Sequence, residues 1–426
     1  MVTSIVIGVV FFALSFAAAP IFVAVGLAAF SAIMVSGDIS YTLLAQRMVA
    51  GMYSYPMVAI PFFLLAAAFM GQGGMTQRII NVFNSFFGHI RGSLAMTDVG
   101  ASMFFAGISG SGVADATSIG SIVIPAMKDE GYDSDFAAAL TAAAAVTGPI
   151  IPPSIPFVIY GVAAQVSILD LFMAGAVPGV VLGLSLMVYA YVVSKRRHYP
   201  IKGRASFRQV VKTFRDSAFA LVMPIVLVGG IFLGVFTVTE LAAIAAAYSF
   251  IIGFFVYKTL KLRDIPGLMV EVGLSTAAVM ILVGATAMPA YVLSVYKVPH
   301  AIMSFFFSIS SNKYVFLILV NILFLILGMC MDSTPATLMT VPVLLPVAKA
   351  LGIDPIHFGL IMVFNLMLGL LTPPVCFCLS ITAEIAKIPL LKAFKAVIIP
   401  LIIGLVVLGV ITFWPAFGMT LVNLYR

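Results

Sequence analysis

Long apolar blocks alternate with short polar or Pro/Gly-rich segments along almost the whole chain. A bilayer core about 30 Å thick takes roughly 20 apolar residues per spanning helix. On that scale the pattern predicts spans near residues 4–18, 20–36, 54–74, 134–165 and 170–194. A basic linker from Lys195 to Asp216 follows, and then spans near 218–237, 239–258, 272–296, 355–387 and 393–415. The segments 76–92 and 299–312 carry amphipathic patterns and are expected to lie along the membrane interface.

Two regions break the pattern. Residues 93–130 and 313–350 each hold two short apolar arms around a small or polar tip. The first tip is Ser109-Gly110-Ser111-Gly112, with Asp115 nearby, and the second is Asp332-Ser333-Thr334-Pro335. Non-helical backbone at membrane depth survives only where protein buries it or where it lines a cavity. Both regions therefore read as re-entrant hairpins.

Composition supports this. Only 37 of 426 residues are charged (22 Lys+Arg and 15 Asp+Glu), 9% of the chain, and 63% are hydrophobic. A soluble domain has about a quarter of its residues charged, so this is an integral membrane protein. The net charge of +7 does not point to nucleic acid, because the basic residues sit in short segments between apolar blocks. With the linker in the cytoplasm, 17 of the 22 basic residues fall on that side and 5 on the other. That asymmetry sets the topology and places both termini in the periplasm or exterior. Met1-Val2-Thr3-Ser4 lacks a cationic n-region, so the first block is expected to be a retained helix. Cys330, Cys376 and Cys378 lie in apolar stretches, and the four histidines form no constellation. No zinc motif, paired catalytic residues or P-loop is present, which argues against an enzyme and against direct use of ATP.

The chain also resembles itself. At a constant offset of 221, eight positions match across a 47-residue window: Gly107/Gly328, Pro125/Pro346, Lys128/Lys349, Gly131/Gly352, Asp133/Asp354, Gly148/Gly369, Pro152/Pro373 and Pro153/Pro374. Five spans separate equivalent points, an odd number, so the second copy is inverted. The fold class expected is an all-α polytopic membrane protein of two inverted-topology repeats, each with a re-entrant hairpin and a broken helix. Residues 1–194 form the first repeat, 195–217 the linker and 218–426 the second repeat. Inverted repeats with broken helices near the midplane are the signature of secondary transporters. Proline removes an amide donor and blocks a backbone hydrogen bond, which leaves carbonyls free for a small hard cation such as Na⁺. Half-helix N-termini suit an anionic substrate.

Each candidate residue has a structural reading beside the functional one. Ser109 and Ser111 are small enough to serve only close helix packing, or they are ligands at a tip facing a break. Ser154 follows the double proline and carries the same two readings. Asp332 is an acid between long apolar arms, which marks a pathway, and it also fits an N-cap followed by Thr334-Pro335. Asp115 reads more simply as a cap of the second hairpin arm. Arg47, on the outer side, either faces an anionic substrate or a docking protein, or snorkels to the interface.

The hairpins carry a family resemblance. The chain resembles, over essentially its whole length, the large membrane subunit of tripartite ATP-independent periplasmic (TRAP) transporters. The matching stretches are Ala59-Ile60-Pro61-Phe62-Phe63, Ser109-Gly110-Ser111 with Ala114-Asp115, Ile124-Pro125-Ala126-Met127, Gly148 to Ser154, and Pro178-Gly179. Gly328 to Pro335, Gly352-Ile353-Asp354-Pro355 and Leu371-Thr372-Pro373-Pro374 match in the second half. The resemblance implies an elevator-type fold in a bacterial inner membrane and Na⁺-driven import of a small organic acid, such as a C4-dicarboxylate or a sialic acid. It implies two partners, a small four-helix membrane subunit and a periplasmic substrate-binding protein. It implies one Na⁺ site at Ser109, Ser111 and Gly148, and another at Asp332, Thr334, Gly369 and Thr372. Ser109, Ser154 and Asp332 would border the substrate. Cys376-Phe377-Cys378 departs from the family pattern after the second double proline. A stand-alone Na⁺/carboxylate symporter of the same fold is the alternative.

Overall fold

The computed structural model describes residues 2–17, 19–37, 39–201, 203, 206–309 and 312–425. Lys202, Arg204 and Arg426, counted above, lie outside them, as do residues 310 and 311 of the second amphipathic segment. Among the described residues every regular element is helical. The chain opens with α1 (Val2–Phe16), α2 (Ile21–Ser36) and α3 (Tyr41–Met52). A 3₁₀ turn (Tyr55–Val58) then leads into α4 (Ala59–Gln72) and α5 (Met75–Phe87). The first hairpin is α6 (Ser93–Ser109), α7 (Gly112–Ser118) and α8 (Gly120–Asp129), and the first broken helix is α9 (Ser134–Thr147) and α10 (Ile155–Ala164). The long α11 (Ile168–Arg196) closes this half.

The second half begins with α12 (Phe207–Phe232), α13 (Val238–Ile251), α14 (Ile265–Val295) and α15 (Val298–Ile309). Its hairpin is α16 (Lys313–Cys330) and α17 (Ser333–Ala350), its broken helix is α18 (Pro355–Gly369) and α19 (Phe377–Ala386), and α20 (Leu390–Phe413) and α21 (Pro415–Tyr425) end it. Seven helical stretches among the described residues are long and apolar enough to cross a membrane.

Two helices and two boundaries differ from the sequence reading. The helices α3 and α21 were not expected. The linker is half as long as its charges suggest, because α12 begins at Phe207 rather than near 218. Ser206 caps it by accepting from the Gln209 amide at 3.2 Å, and Phe207, Val210, Val211 and Phe214 give the following basic turns an apolar stripe. The helix α14 starts seven residues before the predicted 272, where Pro266 suits a first helical turn.

The repeat is visible in the backbone. Gly131 and Gly352 close the two hairpins with left-handed φ of 86° and 72°. Each broken helix carries a cis proline pair, Pro152–Pro153 and Pro373–Pro374. Packing is exchanged between the halves: α10 lies on α17 and α18, while α19 lies on α7, α8 and α9. The first halves of the broken helices form the centre. Every residue from Phe136 to Thr147 in α9 and from Ile356 to Gly369 in α18 is buried. The alanines of α9 let its neighbours approach closely. The helices α1–α5 and α12–α14 pack among themselves and meet this central bundle chiefly where α5 touches α6 and α14 touches α17. The amphipathic α5 is pinned by Arg78, whose guanidinium lies 3.6 Å from the centre of the Tyr257 ring, a contact worth roughly 0.5–2 kcal/mol.

Equivalent residues of the two copies do different work. Asp354 caps α18, accepting from the Ile356 amide at 2.7 Å. Asp133 instead accepts from Arg197 at 2.6 Å and from the Tyr199 hydroxyl at 2.7 Å. This clamp ties the end of α11 to the start of α9. The Tyr199 hydrogen bond, followed by Arg197, holds the Asp133 carboxyl below its ordinary range. A depressed carboxylate stabilises the fold above its unfolded value and loses that contribution as pH falls through its folded one. Both charged side chains are about half exposed, so the effect is small. Tyr199→Phe should lower the melting temperature by about 1–2 °C at neutral pH. Melting curves taken downward in pH should show that difference vanishing once Asp133 is protonated.

Candidate translocation site

The first tip is a tight backbone crossing. The helix α6 ends at Ser109, and Gly110 takes φ +58°, where a side chain would meet the Ile155 amide nitrogen and the Pro153 carbonyl. That closeness lets the Ile155 amide donate to the Gly110 carbonyl at 3.3 Å. Ser111 caps α7, accepting from the Ala114 amide at 3.4 Å. Ser154 caps α10, accepting from the Phe157 amide at 3.3 Å, and donates its own proton to the Pro149 carbonyl. Each serine thus satisfies one of the open amides that a helix start exposes.

Ser109 donates to Oδ1 of Asp115, and both residues are fully buried. The other oxygen of Asp115, Oδ2, has no hydrogen-bond partner. It faces Gly148, since a Cβ at that glycine would collide with it. Buried polar atoms are nearly always paired, so a bare carboxylate oxygen beside a helix break is the exceptional feature of this tip. The expected cap is corrected here: Ser111, not Asp115, caps α7, and Asp115 lies in its first turn. The signal available in the sequence was the one that singled out Asp332, an acid inside an apolar hairpin.

The second tip is built differently. Asp332 caps α17, with Oδ2 accepting from the Thr334 amide at 3.1 Å. Gly328 and Gly369 let α16 and α18 touch through backbone: a Cβ at Gly328 would lie 3.1 Å from the Gly369 Cα. Thr372 donates from its hydroxyl to the Gly369 carbonyl at 2.8 Å, and the Val375 amide donates to the Met329 carbonyl at 3.2 Å. Beyond the prolines the offset between the repeats grows from 221 to 222. The caps are Ser154 and Cys376, and the helix ends are Gln165 and Lys387, with φ of 54° and 56°. Val375 is the extra residue; Cys376, the equivalent of Ser154, is held at φ 48°, and α19 has no side-chain cap. The Cys-Phe-Cys departure from the family pattern begins at this left-handed Cys376.

A cavity of about 680 Å³ lies between the tips. Of the predicted site residues, Ser111, Asp332 and Thr334 line it. Ser109 and Ser154 are fully buried behind its wall, and Gly148, Gly369 and Thr372 belong to the breaks. Arg47 stands apart on α3, with its guanidinium 4.4 Å from the Tyr291 ring centre. Gln72, Thr76, Thr117, Ser118, Ser121, Ser275 and Ser333 complete the polar lining. The charged residues among the described lining are both acidic, Glu271 and Asp332.

The profile of the tripartite ATP-independent periplasmic transporter, DctM component, matches residues 8–417. The chain belongs to this family. It is 38% identical over 413 residues to the sialic acid TRAP transporter large permease protein SiaM of Vibrio cholerae, covering 97% of this chain and 96% of that one. It is 40% identical over 369 residues to the C4-dicarboxylate TRAP transporter large permease protein DctM of Pseudomonas aeruginosa, covering 87% and 86%. The fold is shared with the YdaH transporter of Alcanivorax borkumensis, with a TM-score of 0.61, 14% identity and coverage of 89% and 88%. The chain is thus a multi-pass permease component of a secondary transporter, and no enzyme family is indicated.

Backbone contact at the second tip gives a test of the fold. Gly369→Ala would push α18 off Gly328, and overpacking of this kind costs about 1–3 kcal/mol. Gly409, inside α20, has open space around it, and Gly409→Ala should stabilise by up to about 1 kcal/mol. Thermal melts of the two variants should move in opposite directions.

Proposed function

We propose that this chain is the translocation subunit of a Na⁺-coupled, binding-protein-dependent importer of a small organic anion in a bacterial inner membrane. The observation that carries this reading is the bare, buried Oδ2 of Asp115 against Gly148. Carboxylate, hydroxyl and backbone oxygens form a hard donor set, which fits Na⁺ and leaves no role for a softer metal. Ser109, Asp115 and the Gly148 break would hold one cation. Asp332, Thr334, Thr372 and the Gly369 carbonyl would hold a second.

The acidic cavity makes the coupling compulsory. Two like charges 4 Å apart repel by about 1–4 kcal/mol between aqueous and protein-like dielectrics, so a carboxylate beside Asp332 needs accompanying cations. Orientation supports release inward. The cavity is walled by Leu268, Glu271, Val272, Ser275 and Val279 of α14, the half of that helix next to the basic Lys261–Arg263 segment. By the positive-inside rule that half is cytoplasmic, and the structure is read as inward-open. The central bundle of hairpins and broken helices is the body that would slide against α1–α5 and α12–α14. The family's tripartite architecture supplies the small membrane subunit and the soluble periplasmic protein that delivers substrate, and the relatives' sialic acid and C4-dicarboxylate suggest the substrate class.

The test is uptake of radiolabelled N-acetylneuraminate and succinate into proteoliposomes holding this chain and its small subunit, with and without an inward Na⁺ gradient and binding protein. Uptake requiring both supports the proposal. Na⁺-driven uptake without binding protein would indicate a stand-alone symporter, and gradient-independent uptake would refute the coupling. Asp115→Asn and Asp332→Asn should weaken apparent Na⁺ affinity by at least the roughly 10–100-fold that changes behind a metal site cost.

A further inference from the structure

We propose that Cys378 is a positioning residue that couples the two hairpin tips, so that the cation sites fill cooperatively. The inference rests on the two-site Na⁺ reading above. The turn Val375–Cys378 touches both tips within four residues. At one end the Val375 amide donates to the Met329 carbonyl, in the last turn before the second tip, at 3.2 Å. The Ser380 hydroxyl fixes that end by donating to the Val375 carbonyl at 2.9 Å. At the other end the Cys378 sulfur faces Gly112, the first residue of α7, and a Cβ there would lie 3.4 Å from Sγ.

Gly112 is also where the first tip meets its own break. The same Cβ would lie 3.3 Å from the Ala145 carbonyl oxygen and 3.5 Å from Pro149 Cγ. Cys378 is fully buried and stands within electrostatic reach of both Asp115 and Asp332. The left-handed Cys376 between the two contacts sits in a conformation that non-glycine residues hold only when their surroundings enforce it. The turn therefore has little freedom to absorb a displacement. A shift of Met329 as the second tip orders is passed to Gly112, whose helix carries Asp115. Packed contacts transmit such shifts because cores do not compress. The first repeat lacks the inserted residue, so this link runs through the second break.

Equilibrium binding of radiosodium to the purified full chain in nanodiscs reads the coupling without any organic substrate. Wild type should bind with a Hill coefficient approaching about 2, the limit for two sites. Cys378→Ala removes the sulfur and should bring the coefficient to about 1 while both sites still bind. Cys378→Thr, close in volume, should restore cooperativity. Should Cys378→Ala fail to fold, Gly112→Ala probes the same contact from the other tip and should also lower the coefficient. A folded Cys378→Ala or Gly112→Ala that keeps the wild-type coefficient overturns the proposal while leaving the Na⁺ reading intact. A wild type that binds no Na⁺ overturns both, and one that binds it with no cooperativity overturns the coupling alone.

Discussion

Backbone polar groups have no water to turn to at membrane depth, and each one left open costs several kcal/mol. Two helices here are nonetheless interrupted near the middle of the protein, and the rest of the structure follows from closing those interruptions. The hairpin tips meet the breaks backbone to backbone, through Ile155 to Gly110 and Val375 to Met329. Short side chains close the helix starts: Ser111, Ser154 and Asp332 each accept an amide at a new N-terminus. Glycines stand where main chains touch, at Gly110, Gly328 and Gly369, and Gly148 makes room for the Asp115 carboxyl. Asp115 Oδ2 stays open after this, as does Oδ1 of the buried Asp98 on α6, and of the two it is Asp115 that faces a break, at Gly148.

Electrostatics and anchoring are separated in space. The acidic groups Asp115, Asp332 and Glu271 lie at or around the cavity, whereas the clamp of Asp133, Arg197 and Tyr199 lies at the far end of the first hairpin. Lys128, near that same end, donates to the Ala386 carbonyl at 2.8 Å and so closes the last turn of α19. A cation at a helix C-terminus is stabilising through the backbone dipole as well as the hydrogen bond. Hairpin and opposite broken helix are thereby fastened at their outer ends, which leaves their inner ends to respond to whatever enters the cavity.

Much of this was legible in the sequence because glycine and proline record backbone geometry directly. The repeat positions Gly131/Gly352, Gly148/Gly369 and the double prolines located both hairpins and both breaks. Other features were hidden for physical reasons. The extra residue at Val375 leaves hydropathy unchanged, so only the shift of the helix caps from one offset to the next exposes it. Ser109 and Ser154 looked like cavity residues, yet a serine spends its hydroxyl on whichever partner folding brings near, and theirs are Asp115 and the Pro149 carbonyl. Asp115 reads as a cap in the sequence because capping favours that residue type near a helix start, but Ser111 takes that place. The basic charges of 208–215 masked a helix whose apolar stripe is four residues long.

The single inserted residue has a consequence for the energy of the transport cycle. If the inverted halves were identical, exchanging their conformations would turn an inward-facing protein into its outward-facing mirror, and the two resting states would be equally populated. The halves are not identical, and Val375 lies in the turn that reaches across to Gly112 of the first half through Cys378. In the proposed cycle, an added residue in that turn is one of the differences that would give the two resting states unequal energies, and so a preferred side on which to wait.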